Sequence, residues 1–396
     1  MKTQYLKKLQ LSCKSMPRIM IVSSMPWGFL WQRPQQIASR LADRGFEVVY
    51  FHSPLDLSPL FLIKLFRKKS FFVINKVNSN LCVVNLFVPP FRGKLRFFTE
   101  KFGMLFFKIY VRCFDLKPSV ALFYHPQDVF LAECLESMGV KIAYDCVDDY
   151  SAFPGISDPF AVLNAEWRLV KKSFVVIAVS KMLYERISKA NSNCILVPNG
   201  ADFKHFNKAV NFKEKPLEIE NLRRPIIGFT GVVWDWIDID LICKLAELHP
   251  EYSILLVGPV YFGEDKLGKF SNIFAMGHKP YEVLPQYLAC MDVCLIPFKL
   301  NKLTLASNPI KLYEYLAAGK PVVSTALPEI CESASDLVYI ARDEEDFIKK
   351  VEEAVREAES PNEELIAKRI KFAKENSWEN RVRTIEKLLQ KYLVSQ

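Results

Sequence analysis

The stretch best equipped for chemistry runs from Ser307 to Ser324, where helix punctuation and charged side chains coincide. Ser307 or Asn308 can cap a helix, and Pro309 suits its first turn. Gly319 ends that helix and Pro321 opens the next strand. The helix start follows an apolar strand run, Val293–Pro297. Its free N–H groups and partial positive charge form a natural diphosphate site. Glu314 lies within two turns of that end, and a carboxylate there can accept two hydrogen bonds from a ribose diol. The same residues also fit a capped surface helix with a solvated Glu and Lys.

Two places in the first half carry similar potential. Met25–Pro34 joins a strand to a helix and holds Trp27, Gly28, Trp31 and Arg33. The Trp rings can stack on sugar faces, Gly28 permits close backbone approach, and Arg33 can hold phosphate. A hydrophobic lid with a solvated Arg33 is the alternative. Tyr144–Tyr150 sets Asp145, Asp148 and Asp149 at a strand end. Asp148 and Asp149 are candidate catalytic or hydroxyl-binding carboxylates, and a helix-capping Asp is the other reading. His125, at another strand end, is a third catalytic candidate, although a lone His is more often structural.

Other chemistries find less support. The fourteen glycines include no G-x-G-x-x-G. Gly263–Phe270 nearly fits a P-loop, but Phe270 stands where the metal-binding hydroxyl belongs and two acids lie inside the loop. The ten cysteines are scattered; Cys290 and Cys294 have no second pair beside them. That pattern predicts free thiols, no metal site and no cofactor. The uncharged run from Ile19 to Gln32 is too short to span a membrane and contains Pro26 and Gly28. No signal peptide is expected, because Ser23 and Ser24 break the apolar run and no small-residue cleavage site follows.

Strand and helix patterns alternate around these loops. Strands are predicted at Arg18–Ser23, Glu47–His52, Leu81–Phe87, Ser119–Tyr124, Lys141–Tyr144, Val175–Val179 and Cys194–Val197. A helix is predicted from Pro34 to Arg44. After a polar stretch the alternation restarts with Ile226–Phe229, Ser253–Val257, Ile273–Ala275, Val293–Pro297, Pro321–Thr325 and Leu337–Ile340. The chain then ends in helices at Glu344–Glu359, Pro361–Lys374 and Trp378–Val394. Near-continuous apolar strands separated by helices indicate parallel sheets buried on both faces. The expected fold is therefore α/β, with two Rossmann-like domains whose parallel sheets face a central cleft. The expected divisions are a first domain over 1–200, a linker over 201–224, a second domain over 225–376, and a terminal helix over 377–396.

Charge is uneven. Residues 1–200 hold 27 Lys+Arg against 14 Asp+Glu, a net of +13, while residues 201–396 carry −4. Residues 55–120 alone hold 12 cations and 3 anions, interleaved with phenylalanines at Phe61–Lys69 and Arg96–Phe98. This fits an amphipathic surface on anionic lipid, and equally a solvated basic face over core Phe. A nucleic-acid partner is not expected, because no reader motif accompanies the charge.

The Ser307–Ser324 segment strongly resembles the donor-site helix of GT-B retaining glycosyltransferases (group 1, family 4-like), whose pattern runs E-x(7)-E and then A-A-G-K-P-V-V. Val179–Leu183, Val197–Asp202, Ile273–Pro297 and Ser377–Glu379 resemble further stretches of that family, in the same order. The resemblance maps the ribose-binding Glu onto Glu314. The family's earlier Glu falls at Ala306, leaving Ser307 and Asn308 as candidate substitutes. The usual Arg and Lys of the second domain's first loop are missing from Gly228–Trp236. Lys311, the helix N–H groups, the Gly231 backbone and Arg33 must then serve the diphosphate. The implied donor-binding set is Glu314, Lys311, Ser307, Asn308, Pro309, Ile310, Gly231, Gly258, His278, Lys279 and Tyr281. The cation-poor loop, with Trp27–Gln36 and Tyr144–Asp149, resembles a branch acting on bacterial surface polysaccharides, teichuronic acid glycosyltransferases among them. The terminal helix, by the same resemblance, crosses back to the first domain.

The implied function is transfer of a sugar from a UDP- or GDP-linked donor to a glycan or lipid-linked acceptor hydroxyl. Retention of configuration and independence from metals come with the resemblance. A cytoplasmic protein, peripheral at the inner face of the plasma membrane, is the expected setting. A non-catalytic nucleotide-sugar-binding protein, a nucleotide-sugar epimerase and a phosphorylase of the same fold are the rivals.

Overall fold

The structure is a computed structural model, and it describes residues 17–52, 72–86, 96–212 and 214–393. The basic stretch Phe61–Lys69 lies outside the described residues. Two compact units emerge: Met1–Val197 together with Val382–Gln396, and Pro198–Arg381.

The first unit is built on eight strands. They are β1 (Arg18–Ser23), β2 (Glu47–His52), β3 (Phe72–Lys76), β4 (Leu81–Leu86), β5 (Val120–Phe123), β6 (Lys141–Cys146), β7 (Val175–Ala178) and β8 (Cys194–Leu196). Their order is β3-β4-β2-β1-β5-β6-β7-β8. All neighbours are parallel except β3 and β4, which pair antiparallel across the turn at Val77–Asn80. The β3 edge strand is not among those predicted from the sequence. Phe72–Lys76 sits beside a long basic, aromatic stretch that masks its short apolar run. The central strands β5 and β7 are buried along their whole length, as expected of strands covered on both faces.

The second unit carries β9 (Ile226–Thr230), β10 (Ser253–Val257), β11 (Ile273–Ala275), β12 (Val293–Ile296), β13 (Val322–Thr325) and β14 (Tyr339–Ala341). Their order is β11-β10-β9-β12-β13-β14, and every pairing is parallel. The chain steps one way from β9 to β10 and the other way to β12. The crevice beyond the C-terminal ends of β9 and β12 is thus a topological switch point, where such sheets bind ligands. In the first unit the equivalent point lies between β1 and β5.

The stretch expected as a linker, 201–224, is part of the second unit's core. Ala201, Phe206, Ala209 and Ile219 are all buried with Tyr287, Leu316 and Ala317. These anchors fall at irregular spacing, so no periodic pattern announces them. The resembling stretches at 197–202 and 377–379 meet here. Trp378 N–H donates to the Ala201 carbonyl at 2.9 Å, and Ala201 N–H to the Asn376 carbonyl at 3.0 Å. A Cβ on Gly200 would stand 2.7 Å from the Asn376 oxygen, so a side chain there has no room.

Candidate active site

In the second unit a short helix, Lys302–Leu305, follows β12, and the next helix runs over Ile310–Ala317. Its N-cap is Pro309, and no side chain caps it. This corrects the expectation that Ser307 or Asn308 would do so. Ser307 Oγ donates instead to the Thr304 carbonyl at 2.7 Å. Asn308, 5 % exposed, is claimed by a distant partner. Its Oδ1 accepts from Asn199 N–H at 2.9 Å, its carbonyl accepts from Asn199 Nδ2 at 2.6 Å, and its Nδ2 donates to Glu329 at 3.0 Å. The first turn also holds no acidic residue. The positive end of this helix is therefore uncompensated by any side chain of its own.

Further residues gather around that end. Glu314 is buried, and its Oε2 accepts from Lys311 Nζ at 2.6 Å. A Cβ on Gly231 would sit 3.3 Å from Lys311 Cε, which places the loop after β9 against the lysine. Gly258, after β10, packs against Gly231 so tightly that a Cβ would stand 1.9 Å from the Gly231 oxygen. Both glycines have φ near the left-handed side, 143° and 147°. Tyr315, buried beside Glu314, accepts from Thr230 N–H at 2.9 Å and so ties the end of β9 to the helix. That tie is invisible in the sequence, because nothing local marks Tyr315 as a partner of β9.

The 278–281 loop begins beside this group, with Gly277 bridged to Gly258. Two of its side chains, Lys279 and Tyr281, reach the 202–218 stretch. Lys279 Nζ donates to both oxygens of Glu218, at 2.8 and 2.7 Å, and lies 5.6 Å from the Tyr287 ring centre. Its bond to Glu218 raises the Lys279 pKa above the ordinary lysine value. Tyr281 stacks on His205 at 4.4 Å, and its hydroxyl donates to Asp202 at 3.2 Å. His278 is exposed.

In the first unit, the loop after β1 is held by Gln35, whose Nε2 donates to the Leu30 carbonyl at 2.8 Å. Trp27 packs edge-on against Trp31 at 5.1 Å and Tyr50 at 5.0 Å. Gly28 has open space around it: no atom lies within 4 Å of where a Cβ would stand, so close packing does not explain this glycine. Arg33 is not a solvated loop cation. It opens the Arg33–Asp43 helix, is 2 % exposed, and its Nε donates to Asp145 Oδ2 at 2.8 Å. Both charges of this pair are buried, which requires each to stay with the other.

Asp148, Asp149 and His125 surround Tyr150. Asp149 is spent on structure: its Oδ1 accepts from Ser151 N–H at 3.2 Å and caps the short helix that follows. Asp148 differs. Burial, helped by the nearby Asp149 charge, pushes its pKa up from 3.8 to about 7. The His125 ring meets the Tyr150 ring edge-on at 4.4 Å, and burial pushes its pKa down to about 4. Nδ1 of His125 accepts from Gln127 N–H at 3.2 Å, so the neutral ring carries its proton on Nε2. The cluster thus offers an uncharged N–H donor at neutral pH and a carboxyl that titrates well above the ordinary carboxylate range.

Residues 224–357 match the family described as Glycosyl transferases group 1. A Bacillus subtilis (strain 168) protein named as a teichuronic acid biosynthesis glycosyltransferase, TuaH, is 26 % identical over 214 residues. That match takes in 50 % of this chain and 54 % of the relative, so the chain spans about half the relative's length. Among solved structures, sucrose-phosphate synthase from Thermosynechococcus elongatus has a TM-score of 0.73 at 15 % identity, covering 96 % of this chain and 100 % of that one. Trehalose 6-phosphate synthase from Burkholderia multivorans has a TM-score of 0.68 at 12 % identity, covering 96 % and 100 %. Anabaena HepE in complex with UDP has a TM-score of 0.63 at 13 % identity, covering 95 % and 100 %. The match over residues 224–357 makes that stretch a glycosyl transferases group 1 domain, and the likeness to these structures makes the two Rossmann-like units a chain of the GT-B fold.

Proposed function

We propose that this protein transfers a sugar from a nucleoside diphosphate sugar to an acceptor hydroxyl, with retention of configuration and without a divalent metal. The observation that carries the reading is the uncapped start of the Ile310–Ala317 helix, with Lys311 and buried Glu314 beside the Gly231 loop. The helix N–H groups and Lys311 take the diphosphate, and the Gly231 backbone approaches it unhindered. Glu314 accepts from the ribose hydroxyls. In the first unit, Asp148 accepts the proton of the acceptor hydroxyl and the His125 N–H fixes a substrate oxygen. The bond broken joins the anomeric carbon to the diphosphate, and the bond formed joins it to the acceptor oxygen. Charge developing on the departing diphosphate meets the helix end, where fixed dipoles need no reorganisation.

HepE structures hold UDP and UDP-glucose, so UDP-glucose is the first donor to try, with GDP-linked sugars next. The TuaH name supports a surface polysaccharide as the acceptor class. Release of nucleoside diphosphate from a panel of nucleotide sugars, by the purified chain in excess EDTA, tests the proposal directly. Turnover that survives EDTA is expected. Turnover lost in EDTA and restored by Mg²⁺ or Mn²⁺ would contradict the metal-free part, and no turnover with any donor would contradict the whole.

The acceptor is proposed to lie at an anionic membrane face. No helix among the described residues is long and apolar enough to cross a membrane. The Arg96–Cys113 helix, however, exposes Leu105 and Ile109 one turn apart, at 53 % and 48 %. Vesicles containing phosphatidylglycerol are expected to sediment the protein at low salt and release it at high salt, since each cation contributes about 1 kcal/mol. Equal sedimentation with neutral vesicles would remove this part of the proposal and leave the transfer reaction standing.

A further inference from the structure

Beside the Gly231 and Gly258 loops, the second unit exposes an unusual concentration of large rings. Among the described residues the rings of Trp234, Tyr261 and Phe262 are 38 %, 56 % and 43 % exposed, and aliphatic Leu300 beside them is 49 % exposed. They come from three separate loops, after β9, β10 and β12. Trp234 meets Tyr261 edge-on at 5.3 Å, and Lys299 Nζ lies 5.0 Å from the Phe262 ring centre.

The loops are fastened to one another. Val233 N–H donates to the Pro259 carbonyl at 3.0 Å, Tyr261 N–H to the Val233 carbonyl at 2.9 Å, and Lys299 N–H to the Trp236 carbonyl at 2.9 Å. Val233 and Ile237 are fully buried beneath. The stretch Val233–Ile237 therefore drives its anchors inward and holds Trp234 outward. Burying Trp234 would have been the cheaper outcome for an isolated fold, since a Trp ring carries a large apolar area. Here the backbone ladder leaves the ring packed on Tyr261 and still 38 % exposed.

The polar surroundings say what the rings face. Lys299 Nζ and Asp235 Oδ1 are 3.4 Å apart within the patch, and their side chains are 36 % and 38 % exposed. This pair cancels in net charge, so it adds no electrostatic pull on an anionic membrane. It does offer donors and an acceptor at the rim of flat apolar rings. Such a surface matches a neutral polyhydroxylated ring, with C–H groups on its faces and hydroxyls at its edge. Position supports the same occupant: Trp234 stands three residues after Gly231, and Tyr261 three after Gly258. The loops that carry the rings are the loops proposed to hold the donor.

We propose that Trp234, Tyr261 and Phe262, with the Lys299–Asp235 pair, form a glycan-binding platform that grips sugar rings of an acceptor chain next to the donor site. The assignment deepens the transferase reading and rests on it. It makes the acceptor an oligosaccharide rather than a single sugar or a small aglycone.

The test uses the whole chain and a ladder of malto-, cello- and chito-oligosaccharides, from single sugars to hexasaccharides, followed by tryptophan fluorescence. Binding that tightens with length is expected. Trp234→Ala and Tyr261→Ala should each weaken it by about tenfold or more, and Trp234→Phe should keep most of it. UDP binding should not change, because both rings lie outside the Lys311–Glu314 group. No binding of any length by the wild type, or unchanged binding in both alanine variants, overturns the platform. So does sedimentation with vesicles that depends on Trp234, which would make the occupant a lipid. Oligosaccharide binding that depends on the rings in a chain unable to bind UDP or GDP would uphold the platform and sink the donor reading instead.

Discussion

Replacing Asp148 with Asn is expected to lower the transfer rate by about 10²–10⁴-fold, the usual worth of a positioned proton acceptor. The wild-type rate should rise with pH through about 7, where burial and Asp149 have placed the Asp148 titration. Below that pH the carboxyl holds its proton and cannot take another; the variant should lose this limb altogether. Stability separates the chemical role from a structural one. The folded pKa of Asp148 lies above the unfolded value, so the folded state binds more protons between pH 3.8 and about 7. Ionisation of Asp148 therefore costs stability as pH rises through that window, and above it the loss is complete. Asn carries no such cost, so the variant should melt no lower than wild type at pH 8. A rate loss accompanied by a lower melting temperature at pH 8 would mean that Asp148 is structural.

The second large effect is expected at Glu314. Glu314→Gln keeps the shape and removes the charge; hydrogen bonds to charged groups contribute about 1.5–3 kcal/mol, so nucleotide affinity should fall by about tenfold or more. The Lys311 pair sharpens the expectation. Gln leaves Lys311 without its carboxylate and free to turn wholly to the diphosphate. Inorganic pyrophosphate should then bind the variant as well as the wild type, or better, while UDP binds worse. The difference between variant and wild type should also shrink for 2′-deoxy-UDP, which lacks one of the hydroxyls Glu314 would accept from. Calorimetry with the three ligands reads all of this. Equal loss for UDP and pyrophosphate would show that Glu314 works by holding Lys311 in place and does not touch the ribose.

What could be read from the sequence was what is local or periodic. Strands such as Ile226–Thr230 and Ser253–Val257 announce themselves as apolar runs, and Gly319 with Pro321 marks where the Ile310–Ala317 helix stops. The failures share a cause: a side chain claimed by something far away in sequence. Asn308 has the chemistry of a helix cap but is taken by Asn199. Arg33 has the chemistry of a phosphate ligand in a loop but is buried against Asp145. Lys279 spends its charge on Glu218. Local preference is the same in every case, and only the tertiary partner decides. The three aspartates of Tyr144–Tyr150 were legible as a cluster. Their separate fates as ion-pair partner, titrating group and helix cap depend on burial that no spacing encodes.

The first unit closes with a segment made after the second unit. Val382, Ile385 and Leu389 of the Trp378–Leu393 helix are fully buried in it, Lys141 Nζ donates to the Tyr392 carbonyl at 2.8 Å, and Tyr392 packs on Phe174 at 4.5 Å. A ribosome delivers residues 17–197 long before these partners exist. Domains generally fold from the N-terminus as they are synthesised, and here that order cannot run to completion. The newborn first unit must wait, with one apolar flank bare, while the whole second unit is translated. Any truncation that removes Val382–Leu393 leaves the first unit permanently in that unfinished condition.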